Sequence, residues 1–132
     1  MKAVRVLDVG NCGPDHAALS RMLKSGFGAE VRQTDHIEDT LAALTAESFD
    51  LVLINRKLDC DYSDGMEVLK RIKQHQNLST VPVMLISNYE DAQAEAVAHG
   101  ALLGFGKLQL NAPATRERLS NVFQPKKSDE VS

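Results

Sequence analysis

The sequence lacks several features that would identify a function directly. Lysine and arginine together number 15 against 18 acidic residues, which leaves a net charge of −3 and no basic excess of the kind that nucleic-acid binding requires. The longest apolar run, residues 81–86, is short and contains a proline, and no long apolar segment opens the chain. The sequence therefore predicts neither a membrane span nor a signal peptide, and we expect a cytoplasmic protein.

The composition is that of an ordinary globular protein. Hydrophobic residues make up 43% of the chain and charged residues 25%, which excludes disordered and fibrous classes. A chain of 132 residues matches the size of one domain. We place that domain at residues 1–124. Residues 125–132 carry charges and have little to bury, so they are predicted to form a disordered tail.

Three short apolar runs rich in β-branched residues, each followed by polar residues, predict β-strands at 4–9, 51–54 and 81–86. The second and third runs are continuously apolar, which is typical of parallel strands covered by helices on both faces. Two weaker strands are predicted at 29–33, as an edge strand, and at 101–106.

Segments with helical spacing lie between these strands. Each has a recognisable boundary signal, such as a proline in the first turn, a capping box or a glycine after the last turn. These signals are Pro14, Asp35 with Glu38, Asp64 with Glu67, Gly100 and Pro113. Five βα units in succession predict a doubly wound parallel α/β sheet, whose sites form beyond the carboxyl ends of the strands.

The segments at those strand ends carry a resemblance to a known family. The motifs are R5-V-L-D-V-G-N-C-G-P-D-H16, D50-L-V-L-I-N55, Asp64-Gly65, V81-P-V-M-L-I-S87 and H99-G-A-L-L-G-F-G-K107. Over about residues 3–123 the chain resembles the receiver domains of bacterial response regulators. The resemblance implies a flavodoxin-like, CheY-like (βα)5 fold with strand order 2-1-3-4-5. It implies a signalling module rather than an enzyme.

The resemblance also implies where the family's chemistry would take place. In receivers two acidic residues and an acceptor aspartate hold Mg²⁺, the aspartate takes a phosphoryl group, and a hydroxyl and a lysine bind the phosphoryl oxygens. The acidic pair corresponds to Gly10 and Asn11, the acceptor to Asn55, the hydroxyl to Ser87 and the lysine to Lys107.

None of the three matched acidic positions carries a carboxylate. An amide is neither a useful nucleophile nor a charged ligand for a hard cation. The family's switch residue falls on Gly104, and its proline after the lysine is Leu108. The sequence therefore predicts a degenerate pseudo-receiver with no cofactor, weak or absent Mg²⁺ binding and no aspartyl phosphorylation.

Nearby carboxylates leave alternatives open. Asp8 becomes a member of the acidic pair if the alignment shifts by two or three residues; otherwise it is an inward polar residue that pairs with Lys107. Asp59 and Asp61 are either substitute acceptors or metal ligands, or simply solvated. Ser87 and Lys107 have structural interpretations as well, the hydroxyl capping the fourth helix and the ammonium bonding Asn55 or loop carbonyls.

The two cysteines, Cys12 and Cys60, have no spacing typical of a metal site or a disulfide framework. Free thiols in a reducing compartment are the ordinary interpretation. Both residues follow strands at the same end of the predicted sheet, so a redox-formed disulfide between them is the alternative.

We expect a stand-alone module of two-component or phosphorelay signalling that binds a protein partner. That partner is a histidine kinase, a downstream signalling protein or a second copy of the chain. The resemblance puts the binding face on the fourth helix, fifth strand and fifth helix, at about 89–106 and 112–123. The alternatives are a phosphorylatable regulator with Asp59 or Asp8 as a displaced acceptor, and a module that binds a small ligand.

Overall fold

The computed structural model describes residues 3–123, in which strands and helices alternate along the chain. The strands are β1 (Arg5–Val9), β2 (Glu30–Thr34), β3 (Leu51–Asn55), β4 (Val83–Ile86) and β5 (Leu102–Phe105). The helices are α1 (Gly13–Phe27), α2 (Ile37–Ala46), α3 (Gly65–Gln74), α4 (Glu90–Ala98) and α5 (Pro113–Phe123). A short 3-10 turn at Lys107–Gln109, which the sequence did not predict, follows β5.

The five strands form one parallel sheet in the order β2-β1-β3-β4-β5. This confirms the predicted doubly wound fold, its strand order and the position of β2 at an edge. Because all five carboxyl ends lie along one side of the sheet, the loops that follow the strands meet there.

Each face of the sheet packs against its own set of helices. On one face Val6, Leu51 and Leu53 pack with buried residues of α1 and α5, whereas Val52 and Ile54 face α2, α3 and α4 on the other. Four residues of β3, from Leu51 to Ile54, are fully buried. Burial on both faces of the sheet therefore explains the continuous apolar run of β3, as predicted.

The predicted helix boundaries are confirmed at α3 and α5 and corrected at α2. Asp64 caps α3, its Oδ1 accepting the Met66 N–H at 2.9 Å, and Pro113 begins α5. The capping box of α2 is His36 with Asp39, not Asp35 with Glu38. The His36 ring nitrogen accepts the Asp39 N–H, and the Asp39 carboxylate accepts the His36 N–H at 2.9 Å. An imidazole nitrogen is an acceptor in the neutral ring, so it can replace the usual carboxylate or hydroxyl.

The pairing of β4 with β5 is irregular, and a side chain from α4 bridges the two strands with hydrogen bonds. The register shifts between Met84 and Ile86. Gln93 is buried there; its Nε2 donates to the carbonyl oxygens of Leu85 at 2.9 Å and Ser87 at 3.1 Å, and its Oε1 accepts the Gly104 N–H at 2.9 Å. A Cβ at residue 104 would overlap the Leu85 carbonyl oxygen, so glycine is required beside this bridge.

The domain boundary predicted at residue 124 and the predicted tail at 125–132 lie outside the described residues. Among residues 3–123, no helix combines the length and the apolar character needed to cross a bilayer.

Candidate functional site

The loops after β3, β4 and β5 enclose a pocket of about 390 Å³ at the carboxyl edge of the sheet. It brings together Asn55, Ser87 and Lys107, the positions that the resemblance matches to the family's acceptor, hydroxyl and lysine. Its full lining is Asn55, Arg56, Lys57, Ile86, Ser87, Asn88, Tyr89 and Lys107. Asn11 instead borders a smaller cavity of about 180 Å³, and Lys107 lines both cavities.

Asn55 uses its amide group to join two loops. Its Nδ2 donates to the Lys57 carbonyl oxygen at 2.7 Å, in the loop after β3. The same nitrogen lies 3.4 Å from the Gly10 carbonyl oxygen, in the loop after β1. An ionised carboxylate has no proton to donate, so an aspartate at residue 55 would put its negative charge against two carbonyl oxygens.

Gly10 has no room for a side chain. Its φ is +81°, a backbone conformation that favours glycine. A Cβ built there would overlap Cδ2 of Leu58 and lie 3.2 Å from the Leu58 Cα. Leu58 is itself 1% exposed, and the Asp59 N–H donates to the Gly10 carbonyl oxygen at 2.8 Å. The loop after β3 thus covers the position that the family resemblance assigns to an acidic residue.

Asp8 is a fully buried carboxyl on β1. Asn11 Nδ2 donates to its Oδ1 at 2.5 Å, and His16 Nδ1 hydrogen-bonds its Oδ2 at 2.6 Å. These contacts replace the predicted pairing with Lys107. Burial raises the pKa of Asp8, and the hydrogen bonds from His16 and Asn11 act in the opposite direction. Both carboxyl oxygens are engaged inside the fold.

Lys107 and Ser87 also make contacts other than those predicted. The Lys107 ammonium lies 2.6 Å from Asp15 Oδ2 on α1, and this hydrogen bond lowers the pKa of the Asp15 carboxyl. The predicted partners of Lys107 were Asn55 or loop carbonyls. Ser87 Oγ accepts the N–H of Tyr89 at 3.1 Å. It therefore orders the residue before α4 and does not cap the first turn of the helix itself.

The acidic loop after β3 is folded around its own hydrogen bonds. Asp61 Oδ1 accepts the backbone N–H of Ser63 at 2.9 Å and its hydroxyl at 2.6 Å, which lowers the pKa of Asp61. Asp59 is exposed and, like Asp61, is not part of the pocket lining. Within residues 3–123, no three histidine, cysteine or acidic side chains are grouped in a way that could hold a metal ion.

Both thiols are free in the structure. Cys60 Sγ donates to the carbonyl oxygen of Asp35 at 3.3 Å, and Cys12 is the residue before the first turn of α1. A disulfide between Cys12 and Cys60, formed on oxidation, stays a prediction.

Several residues that shape the site were not singled out from the sequence. Leu58 is the one apolar residue between Asn55 and Cys60, a signal that it is buried. His16 and Asp15 lie in the first turn of α1, where His16 contacts Asp8 of β1 and Asp15 contacts Lys107 of the 3-10 turn. Local sequence spacing does not identify such partners, because they belong to other elements of the fold. Arg56 and Lys57 follow Asn55 directly and line the pocket.

Comparison with known proteins identifies the class. The family model of the response regulator receiver domain matches residues 15–107, and the chain belongs to this family. Receiver domains are signalling modules that interact with histidine kinases or other signalling proteins. A search of curated proteins finds no match.

Solved structures share the fold at low identity. A response regulator from Chloroflexus aurantiacus has a TM-score of 0.74 at 21% identity, covering 92% of this chain and 98% of that one. The chemotaxis response regulator CheY4 of Vibrio cholerae has a TM-score of 0.72 at 19% identity, covering 92% and 99%. The receiver domain of a Pseudomonas aeruginosa sensor histidine kinase, with magnesium coordinated in its active-site cleft, has a TM-score of 0.68 at 18% identity, covering 93% and 96%. At these identities the similarity establishes the fold.

The packing of Leu58 on Gly10 predicts a measurable coupling between the two residues. Gly10→Ala should lower the free energy of unfolding by about 2 kcal/mol or more, from backbone strain and overpacking together. A Leu58→Ala background removes the overlap with Cδ2, so the same change should cost less there, mainly the backbone strain of about 1–2 kcal/mol, although the close contact with the Cα of residue 58 remains. A double-mutant cycle by urea denaturation measures the difference.

Gly13→Ala is the matched control, because a Cβ at residue 13 meets nothing within 4 Å. We expect it to change stability by about 0.5 kcal/mol or less. Equal costs of Gly10→Ala in both backgrounds would contradict the packing argument.

Asp8 and Asp15 should give opposite pH dependences of stability. The pKa of Asp8 is raised above its ordinary value of 3.8, so its stabilising contribution is complete below that value and is lost as pH rises through the folded pKa. Asp8→Asn keeps the shape and an oxygen that accepts the Asn11 N–H, removes the titratable group, and places an amide NH2 against His16 Nδ1 in place of the second oxygen. The stability of wild type relative to this variant should therefore fall as pH rises.

The pKa of Asp15 is lowered, so its contribution is present above 3.8 and is lost as pH falls through the folded pKa. Wild type relative to Asp15→Asn should lose stability on acidification. Urea denaturation over a series of pH values tests both. Parallel profiles for the two variants would contradict the assignment.

Proposed function

We propose that this receiver domain is a pseudo-receiver that signals by binding another protein and does not undergo aspartyl phosphorylation. The observation that carries the proposal is the hydrogen bonding of Asn55, whose amide nitrogen lies against the carbonyl oxygens of Lys57 and Gly10. The residue at the acceptor position has a structural role that a carboxylate could not fill.

The donor set does not fit a divalent metal. Mg²⁺ requires hard oxygen ligands and is usually held by carboxylates. The matched positions are Gly10, Asn11 and Asn55, and Leu58 fills the space beside Gly10. The pocket lining carries three cationic side chains and no carboxylate, so it repels a cation. The match to the family model also begins at residue 15, after β1 and the turn that would hold the acidic pair.

The carboxylates considered as replacements do not favour a displaced acceptor. Asp8 is fully buried, and both its oxygens are hydrogen-bonded. Asp59 lies outside the pocket formed by Ser87 and Lys107. Neither carboxyl has the combination of access, hydroxyl and ammonium that phosphoryl transfer would need.

An exposed apolar surface supports protein binding. Val97 of α4 is 45% exposed, and Leu102 and Leu103 of β5 are 44% and 49% exposed. A shallow cavity of about 370 Å³ extends from Leu102 and Leu103 to Val122 of α5. Exposed apolar side chains on an edge strand mark interaction sites. We therefore assign partner binding to the face formed by α4, β5 and α5. The partner is a histidine kinase, a downstream protein or a second copy of the chain.

Treatment with acetyl phosphate and Mg²⁺, followed by intact-protein mass spectrometry, tests the loss of phosphorylation. We expect no added phosphoryl mass, because no reactive carboxylate faces the pocket. A receiver domain that retains its acceptor aspartate, treated in parallel, shows that the donor is active. A stoichiometric, hydroxylamine-labile phosphoryl group mapped to Asp59 or Asp8 would overturn the proposal.

A further inference from the structure

A small cavity lies between α1 and the turn that follows β5, and its volume is about 180 Å³. One part of its lining is polar and the other part is apolar. The polar residues are Asn11, Asp15 and Lys107, and the apolar residues are Ala18, Leu19, Ile86 and Leu110. A water molecule takes up about 30 Å³ in the liquid, so the cavity has room for a molecule of roughly six non-hydrogen atoms.

Asn11 brings an unused hydrogen-bond acceptor to this cavity. The residue is 3% exposed, and its Nδ2 donates to Asp8 Oδ1 at 2.5 Å. The oxygen of the same amide, Oδ1, is buried and accepts no hydrogen bond from the described residues. A buried acceptor without a donor costs free energy, so a donor supplied by a molecule in the cavity would be stabilising.

The charges around the cavity favour a neutral ligand. Asp15 and Lys107 form an ion pair at 2.6 Å, so the charged residues of the lining balance each other. A carboxylate ligand has no proton to donate to Asn11 Oδ1. An ammonium ligand would be repelled by Lys107 and would compete with it for Asp15.

A group that both donates and accepts hydrogen bonds matches the polar part of the lining. Asn11 Oδ1 requires a donor. The Lys107 ammonium has three N–H groups and bonds Asp15 with one of them, so it has donors left for a ligand oxygen. A carboxamide carries an N–H and a carbonyl oxygen side by side without a net charge.

We propose that this cavity binds a small aliphatic carboxamide. Its N–H donates to Asn11 Oδ1, its oxygen accepts from the Lys107 ammonium, and its alkyl chain packs on the apolar lining. No covalent bond forms or breaks. The occupant would contact both α1 and the turn that leads to α5, a helix of the proposed partner-binding face. The inference goes beyond the proposed function and does not depend on the chemistry at Asn55.

The test is a ¹H-¹⁵N NMR titration of the full chain with butanamide, which has the size of the cavity. A ligand this small should bind with a dissociation constant on the order of 1 mM. We expect saturable shifts in the backbone amides of the lining residues and in the side-chain NH2 signal of Asn11. Butanoate and pentylammonium, at matched ionic strength, should bind at least about ten-fold more weakly, because each would bury a charge.

The variant Ala18→Leu fills the cavity and should weaken butanamide binding at least about ten-fold, because its side chain takes the space of the alkyl chain. Ala17→Leu is the matched control. It adds the same side chain at the preceding, exposed position of α1, which does not line the cavity, and it should bind butanamide as wild type does. Intermolecular NOEs from butanamide to the methyl groups of Leu19 and Ile86 locate the ligand in wild type, even if a variant fails to fold.

The absence of a saturable shift with butanamide would show that water alone fills the cavity and would overturn the inference. Equal binding of the charged analogues, equal weakening in both variants, or NOEs to another part of the protein would also overturn it. Each of these results leaves the proposed function intact, because acetyl phosphate treatment tests that function separately.

Discussion

The amide of Asn55 is the constraint on which the carboxyl edge of this sheet depends. One nitrogen at the end of β3 donates to carbonyl oxygens of two loops, at Lys57 and Gly10. The arrangement brings the loop after β3 against β1, where Leu58 packs on Gly10 and the Asp59 N–H bonds the Gly10 carbonyl oxygen. A donor is needed at residue 55, and the usual acceptor residue of the family is not one at neutral pH.

The remaining charges of the site follow from this arrangement. Without carboxylates at its centre, the pocket lining has no acidic group beside Arg56 and Lys57. Lys107 pairs with Asp15 on α1. The carboxyl that does remain on β1, Asp8, is buried with His16 and Asn11, where it ties the strand to α1. Asp8 and Lys107 are thus each held by structural contacts.

Sequence patterns predicted the fold because its causes are local or periodic. The continuous apolar run of β3 requires burial on two faces, and Asp64 and Pro113 mark helix starts by their own chemistry. The cap of α2 was misassigned because an imidazole nitrogen can act as the acceptor where a carboxylate was expected. The ion pair of Lys107 with Asp15 joins residues 92 positions apart, so spacing could not reveal it.

In the site, too, local residue identities could be predicted, whereas contacts between distant residues could not. The identity of Asn55 was visible in the sequence, but its two carbonyl partners depend on how the following loop folds. That loop contains a single aliphatic residue, Leu58, which is buried and packs over Gly10. Gln93 lies in an alanine-rich helix, and its bridging of β4 and β5 depends on a register shift that no local pattern encodes.

The most direct test of the account is the stability of Asn55→Asp, measured by urea denaturation with and without Mg²⁺. We expect a loss of about 1–3 kcal/mol at neutral pH, because a carboxylate would replace the donor between two carbonyl oxygens. The pKa of the new carboxyl would be raised, so the loss should shrink as pH falls and the protonated group donates again. Asn55→Ala measures the missing hydrogen bonds without the charge and should show no such pH dependence. Wild-type stability in Asn55→Asp, increased further by Mg²⁺, would show instead that the site accepts its aspartate and metal, and would contradict the account.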